Sequence, residues 1–335
     1  MVYLVCWKGV CLGVIDAIAD GCFAVARRPI TLAPVVALDC FYWVSGRLTP
    51  APLVNLLIRG VTDGGQQQGL SGGEIDSFVA PWRSLAADGD LLYLIAVGQK
   101  PLLPLLDPDQ VGRPWGFGVL DPGNWALVVL AMLGLVVVGL FWLALTLAVL
   151  SPLARDEAFD WRIVLGRSGR YWLRLLGLCG VVLGGLLLLG LPLLLLSVLL
   201  AALGLNPAAP ALLILLPILP LYLFLGLAPE AIVVSDAGPL RAIKLSVAVV
   251  RRNFWGMIGL LVATFVITQG FAVALALVAR QSAGVPLAIV ANGLLGTGLT
   301  AAGLLYYRER LEALTSPRPA VGGQQQGQRH QGGQR

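Results

Sequence analysis

A chain of 335 residues that is 58% hydrophobic and 12% charged lies far from a soluble composition, in which about 25% of residues are charged. Its net charge of +5 is modest, and its basic residues sit in short stretches beside apolar runs. That placement marks membrane topology and argues against a nucleic-acid groove.

In chain order, residues 1–28 read as an N-terminal interfacial amphipathic segment. Met1–Ile15 is apolar but carries Lys8 and lacks a basic start, so it makes a poor signal peptide. In Val14–Arg28, Asp16, Asp20 and Arg27 share one helical stripe. A six-span membrane domain is expected over 29–310. Span one covers 30–46 and contains Asp39, the one charged side chain placed inside a span, where it is expected to be protonated, hydrogen-bonded to Tyr42 or Gln269, or turned outward to the interface. Residues 47–123 form a non-cytoplasmic lobe, expected as short amphipathic helices on the membrane surface.

Span two is 125–150 and span three 175–203, with Pro192 expected to kink the latter. The connecting stretch 151–174 carries five arginines, and Gly166 and Gly169 are expected to interrupt any helix there. Gly180-x-x-x-Gly184 reads as an internal packing face. Spans four to six are 211–228, 254–279 and 285–307, and residues 311–335 form a Gly/Gln-rich tail expected to be disordered.

The most informative stretch is 229–261. Arg241, Lys244 and Arg251 share a stripe with Arg252 beside it, while Leu240, Ile243, Leu245, Val247 and Val250 fill the opposite arc. Such a helix is expected to lie in a lipid interface with its basic groups among anionic headgroups, and Gly238 or Asp236 to cap it. Phe254 and Trp255 then mark where the next span enters the bilayer. Ala24-Val-Ala-Arg-Arg28 parallels Ala248-Val-Val-Arg-Arg252, and Tyr171-Trp172 parallels Phe254-Trp255, so the pattern allows a weak threefold helix-hairpin repeat. The fold expected is therefore all-α, with six transmembrane helices and amphipathic interfacial helices.

Pro229-Glu230, Ala242-Ile-Lys-Leu-Ser246, Arg251-Arg-Asn-Phe-Trp255 and Leu305-Tyr-Tyr-Arg-Glu309 carry a resemblance. The chain resembles a group of uncharacterised bacterial six-helix membrane proteins, similar to the membrane domain fused to some glycerophosphodiester phosphodiesterases. The resemblance implies a fold and a membrane location, and it supplies no catalytic residues.

Chemistry-bearing patterns are sparse. Five cysteines without a C-x-x-C pair, and a single histidine at His330, argue against a zinc site, a disulfide framework and a Ser-His-Asp set. No metal, cofactor or catalytic set is expected. Asp39, Gln269 and Asn292 are the intramembrane polar candidates. Polar groups of spans five and six are expected to bond across helices, with Gly293, Gly296 and Gly298 permitting close approach.

Both termini are placed on the cytoplasmic side. The 47–123 lobe holds five basic against eight acidic residues, and the 151–174 and 230–253 stretches are basic. The expected role is a non-enzymatic membrane module or scaffold that contacts the lipid bilayer through anionic headgroups, or a membrane protein partner. The alternative is a small transporter or permease subunit using Asp39 and the polar groups of spans five and six.

Overall fold

A computed structural model of the chain describes residues 13–67, 71–96, 98–99, 118–202, 220–281 and 284–315. Residues 1–12, most of the turn-rich part of the lobe, the first half of expected span four and the tail from 316 onward lie outside the described residues.

The architecture is all-α. The helices are α1 (Val14–Arg27), α2 (Ala33–Val44), α3 (Ala51–Gln67), α4 (Gly72–Asp88), α5 (Trp125–Ala154) and α6 (Trp161–Ala202). They are followed by α7 (Ala228–Ser235), α8 (Pro239–Arg252), α9 (Phe254–Ala279) and α10 (Gly284–Thr315). The one strand pairing among the described residues is a two-residue parallel contact of β1 (Arg47–Leu48) with β2 (Val119–Leu120). Among the described residues, four helices are long and apolar enough to cross a membrane: α5, α9, α10 and residues Trp161–Leu193 of α6. The number rises to six if each of two bent helix pairs makes one span. One pair joins Val14–Arg27 to Pro29–Val44 at 105°, and the other joins Pro220–Ser235 to Pro239–Arg252 at 116°.

Helix α10 is the axis of the molecule. Its most apolar stretch is 61% buried, whereas that of α9 is 6% buried. The outer helices instead turn Leu187, Leu188, Leu191, Phe265 and Val273 outward, an apolar surface suited to lipid. Small residues let α1 and α2 reach the axis. A Cβ at Gly21 would lie 2.5 Å from the Gly298 carbonyl oxygen and 2.6 Å from the Ala302 nitrogen, so the α1 and α10 backbones nearly touch. Gly293 opens room for Val36 of α2 in the same way. Close approach at Gly293 and Gly298 was legible in the sequence. The role of α1 was not: Ala17, Gly21 and Val25, spaced by one helical turn each, are buried against the protein.

Two further departures have physical reasons. Gly166 and Gly169 do not interrupt the helix before span three, because α6 runs unbroken for 42 residues, about 63 Å at 1.5 Å per residue. Around Gly180 and Gly184 there is nothing within 4 Å of a notional Cβ, so that motif is no internal packing face among the described residues. The segment Leu91–Ala96 forms a short 3-10 helix that packs against the middle of α5. There Gly139 admits the backbone of Leu94 and Ile95, and Gln99 donates to the Thr146 hydroxyl at 3.0 Å.

Candidate functional site

The polar chemistry of the described chain gathers at four places. The first is where α5 ends, α6 begins and α7 ends. Arg155 donates through Nε and Nη2 to the Val233 carbonyl oxygen at 3.2 and 2.6 Å. Its Nη2 also reaches the buried Tyr171 hydroxyl at 3.4 Å. Arg308 donates to the Ala154 carbonyl oxygen at 3.0 Å and pairs with Asp156 at 2.7 Å. Arg167 pairs with Glu157 at 2.7 Å, and Arg174 with Asp236. Each arginine thus serves a carbonyl group or carboxylate at a helix end, where backbone acceptors lack intrahelical partners.

These pairs set an acid limit. The Arg167 hydrogen bond holds the Glu157 carboxyl below the usual carboxylate range. Partial burial works against the same effect at Asp236, but the hydrogen bond and charge of Arg174, with Arg170 and Arg155 behind it, still hold that carboxyl low. A depressed folded value means that the stabilisation is present above the unfolded value, roughly pH 4, and is lost as pH falls through the folded one. The thermal midpoint of detergent-solubilised protein is therefore expected to drop on acidification below about pH 4, and Glu157→Gln is expected to flatten that drop. An unchanged slope in the variant would remove Glu157 from the account.

The second place is α8. Arg241, Lys244, Arg251 and Arg252 all point outward and are exposed. Among the described residues none of the four takes part in an ion pair, in contrast to Arg155's neighbours Arg167, Arg174 and Arg308. Trp255, just beyond, is 80% exposed and stacks edge-on with Phe254. The other face corrects the expected lipid-facing arc. Ala242, Ser246, Val249 and Val250 are buried in the protein, and Ser246 donates to the Phe224 carbonyl oxygen at 2.6 Å. Small residues on that side let α8 lie close against its neighbours, with the Pro239 ring seated at Gly177 of α6. Leu240 is the residue of the arc left exposed. The cap is the Gly238 backbone, while Asp236 adopts a left-handed conformation (φ 50°) and faces Arg174.

The third is Asp39, which is fully buried, with its Oδ2 accepting from Asn292 Nδ2 of α10 at 2.8 Å. Of the intramembrane polar candidates, the fold brings these two together and leaves Gln269 on an exposed face of α9. Tyr42, expected as a partner of Asp39, donates to the Leu92 carbonyl oxygen. Thr268 and Thr300 donate back to Thr264 and Gly296 of their own helices, where cross-helix bonds were expected.

The fourth lies between α7 and α10, and no sequence pattern marks it as a site. Glu230 rests against Gly303, where a Cβ would come within 3.3 Å of its Oε1. Its Oε2 is buried and has no hydrogen-bond partner among the described residues. The buried Tyr307 stands nearby, with its hydroxyl 3.4 Å from that of Ser235. Two quoted motifs, Pro229-Glu230 and Leu305-Tyr-Tyr-Arg-Glu309, thus meet in space. No group of three or more metal-ligating side chains occurs among the described residues.

These features define an all-α protein with four to six helices suited to a membrane, wound around α10. In sequence, residues 172–307 match a family model described as a domain of unknown function (DUF7847). The matched region takes in Glu230, α8, α9 and Asn292, and leaves out α1 to α5 with Asp39. No curated protein and no solved structure matches the chain.

Proposed function

We propose that the chain is a non-catalytic membrane module that crosses the bilayer six times, with α8 in the interface outside the spans and both termini cytoplasmic. Its working surface is α8, which engages anionic lipid headgroups. One observation carries this reading: Arg241, Lys244, Arg251 and Arg252 project outward without an ion-pair partner among the described residues, while the arginines around the α5–α6 junction are committed to carbonyl groups and carboxylates. The exposed Trp255 beside them suits the headgroup level. The resemblance to a membrane domain of phosphodiesterases fits a module that carries no chemistry of its own. A permease would use Asp39, but that carboxyl is occupied by Asn292, which favours the module.

The test is full-length protein in nanodiscs of neutral phosphatidylcholine, or of the same lipid doped with phosphatidylglycerol. The anionic lipid is expected to stabilise wild type in a salt-screened manner, by about 1 kcal/mol for each basic residue near the surface. Replacing all four residues by Gln is expected to abolish the difference between the two lipids. Equal stabilisation of the variant would refute the role of α8.

A further inference from the structure

Glu230 plays no part in that reading, yet it is the least explained group in the fold. Its Oε2 is buried and has no hydrogen-bond partner among the described residues. A desolvated carboxylate without a counter-charge is among the most costly arrangements a protein can hold. Several of the charges near α7 are engaged elsewhere. Following α5, Arg155 is spent on the Val233 carbonyl oxygen. On α6, Arg174 faces Asp236, and the Tyr171 hydroxyl faces Arg155 and Val233. Arg241 of α8 is exposed and has no ion-pair partner among the described residues, yet its charge reaches Tyr307 beside Glu230. On α10, Arg308 pairs with Asp156 and Glu312, and Arg310 lies over the Tyr306 ring. Tyr307 is the titratable neighbour close enough to feel the charge of Glu230. Glu309, also on α10, adds a second buried carboxylate oxygen and offers no positive charge.

We propose that Glu230 is a proton-binding site at the joint between α7 and the central helix α10. The carboxylate takes a proton from hydronium, leaving water and a neutral carboxyl group that can sit against Gly303. The hydroxyls of Tyr307 and Ser235 approach each other at 3.4 Å, between the central helix and the exposed turn that follows α7 at Asp236. The joint lies next to the 116° bend into α8, so the protonation state of Glu230 bears on the element that carries the basic stripe. The site stands independently of what α8 binds.

Infrared difference spectroscopy on reconstituted full-length protein tests the site. Wild type minus Glu230→Gln is expected to show the carbonyl stretch of a protonated carboxyl at neutral pH, which shifts on deuterium exchange and fades as pH is raised. The band is expected to survive in Asp39→Asn and Glu309→Gln, which assigns it to Glu230. The thermal midpoint of wild type is expected to fall as pH rises through the loss of the band, because the folded state then releases its extra proton, and that of Glu230→Gln to stay level. Should Glu230→Gln fail to fold, glutamate carrying carbon-13 in wild type reads the same band without a variant. Carboxylate bands alone at every pH where the protein is folded would overturn the proposal. A band that sodium chloride removes at constant pH would overturn it too, in favour of a metal cation at the same oxygens.

Discussion

Gly21→Val is expected to remove most of the folded protein from detergent extracts. A Cβ at Gly21 would come within 3.0 Å of three α10 backbone atoms: the Gly298 carbonyl oxygen, the Ala302 nitrogen and the Ala302 Cα. Backbone cannot rotate away as a side chain can, so α1 has to lift off α10. The lift also opens the contacts of Ala17 and Val25, which flank Gly21 on the same stripe and are 1% and 0% exposed. Overpacking at such a site costs on the order of 3 kcal/mol. Gly180→Val is the matched control, because nothing lies within 4 Å of that position. Size-exclusion profiles and thermal midpoints of the two variants provide the measurement. A Gly21→Val protein as stable as the Gly180→Val protein would mean that α1 does not dock on α10 as described.

The contrast between these glycines shows what the sequence could reveal. Gly-x-x-x-Gly spacing reports a helix face that permits close approach, but the identity of the helix that comes near is settled by tertiary docking. The α1 stripe is built from Ala17, Gly21 and Val25, which carry little hydrophobic signal, so the acidic stripe of Asp16 and Asp20 dominated the reading and suggested an interfacial segment. The basic stripe of α8 was legible because charge at helical spacing needs no partner to be recognised. Its buried side was misjudged for the same reason as α1: Ala242 and Ser246, small and unremarkable, are what let α8 pack on the protein. Asp39 stood out as a carboxylate in an apolar run, yet its partner Asn292 lies 253 residues away, beyond any local pattern. Glu230 follows expected span four directly, and nothing local in the sequence marks its carboxyl as buried. Only the approach of Gly303 and Tyr307 shows that its carboxyl turns inward.

Arg155→Ala is the second large effect expected, and it tests whether the helix ends are tied through one guanidinium. Val233 lies in the last turn of α7, where a carbonyl oxygen has no partner further along its own helix. Arg155 supplies two N–H donors to that oxygen and a third contact to the Tyr171 hydroxyl, so one side chain spans the end of α5, the body of α6 and the end of α7. Its removal leaves the Val233 acceptor with only the longer contact of the Tyr171 hydroxyl at 3.5 Å and unties the end of α5 from α6 and α7 at this point. A hydrogen bond involving a charged group contributes about 2 kcal/mol when its partner is left unsatisfied, so a loss of at least that size is expected in chemical unfolding. Arg155→Lys separates charge from geometry. Lysine keeps the positive charge but is a point donor and cannot bring the planar fork to Val233 and Tyr171 together, so most of the loss is expected to remain. Were lysine to restore wild-type stability, the charge alone would matter, as a cation beside a helix C-terminus, and the three-way tie would have to be abandoned.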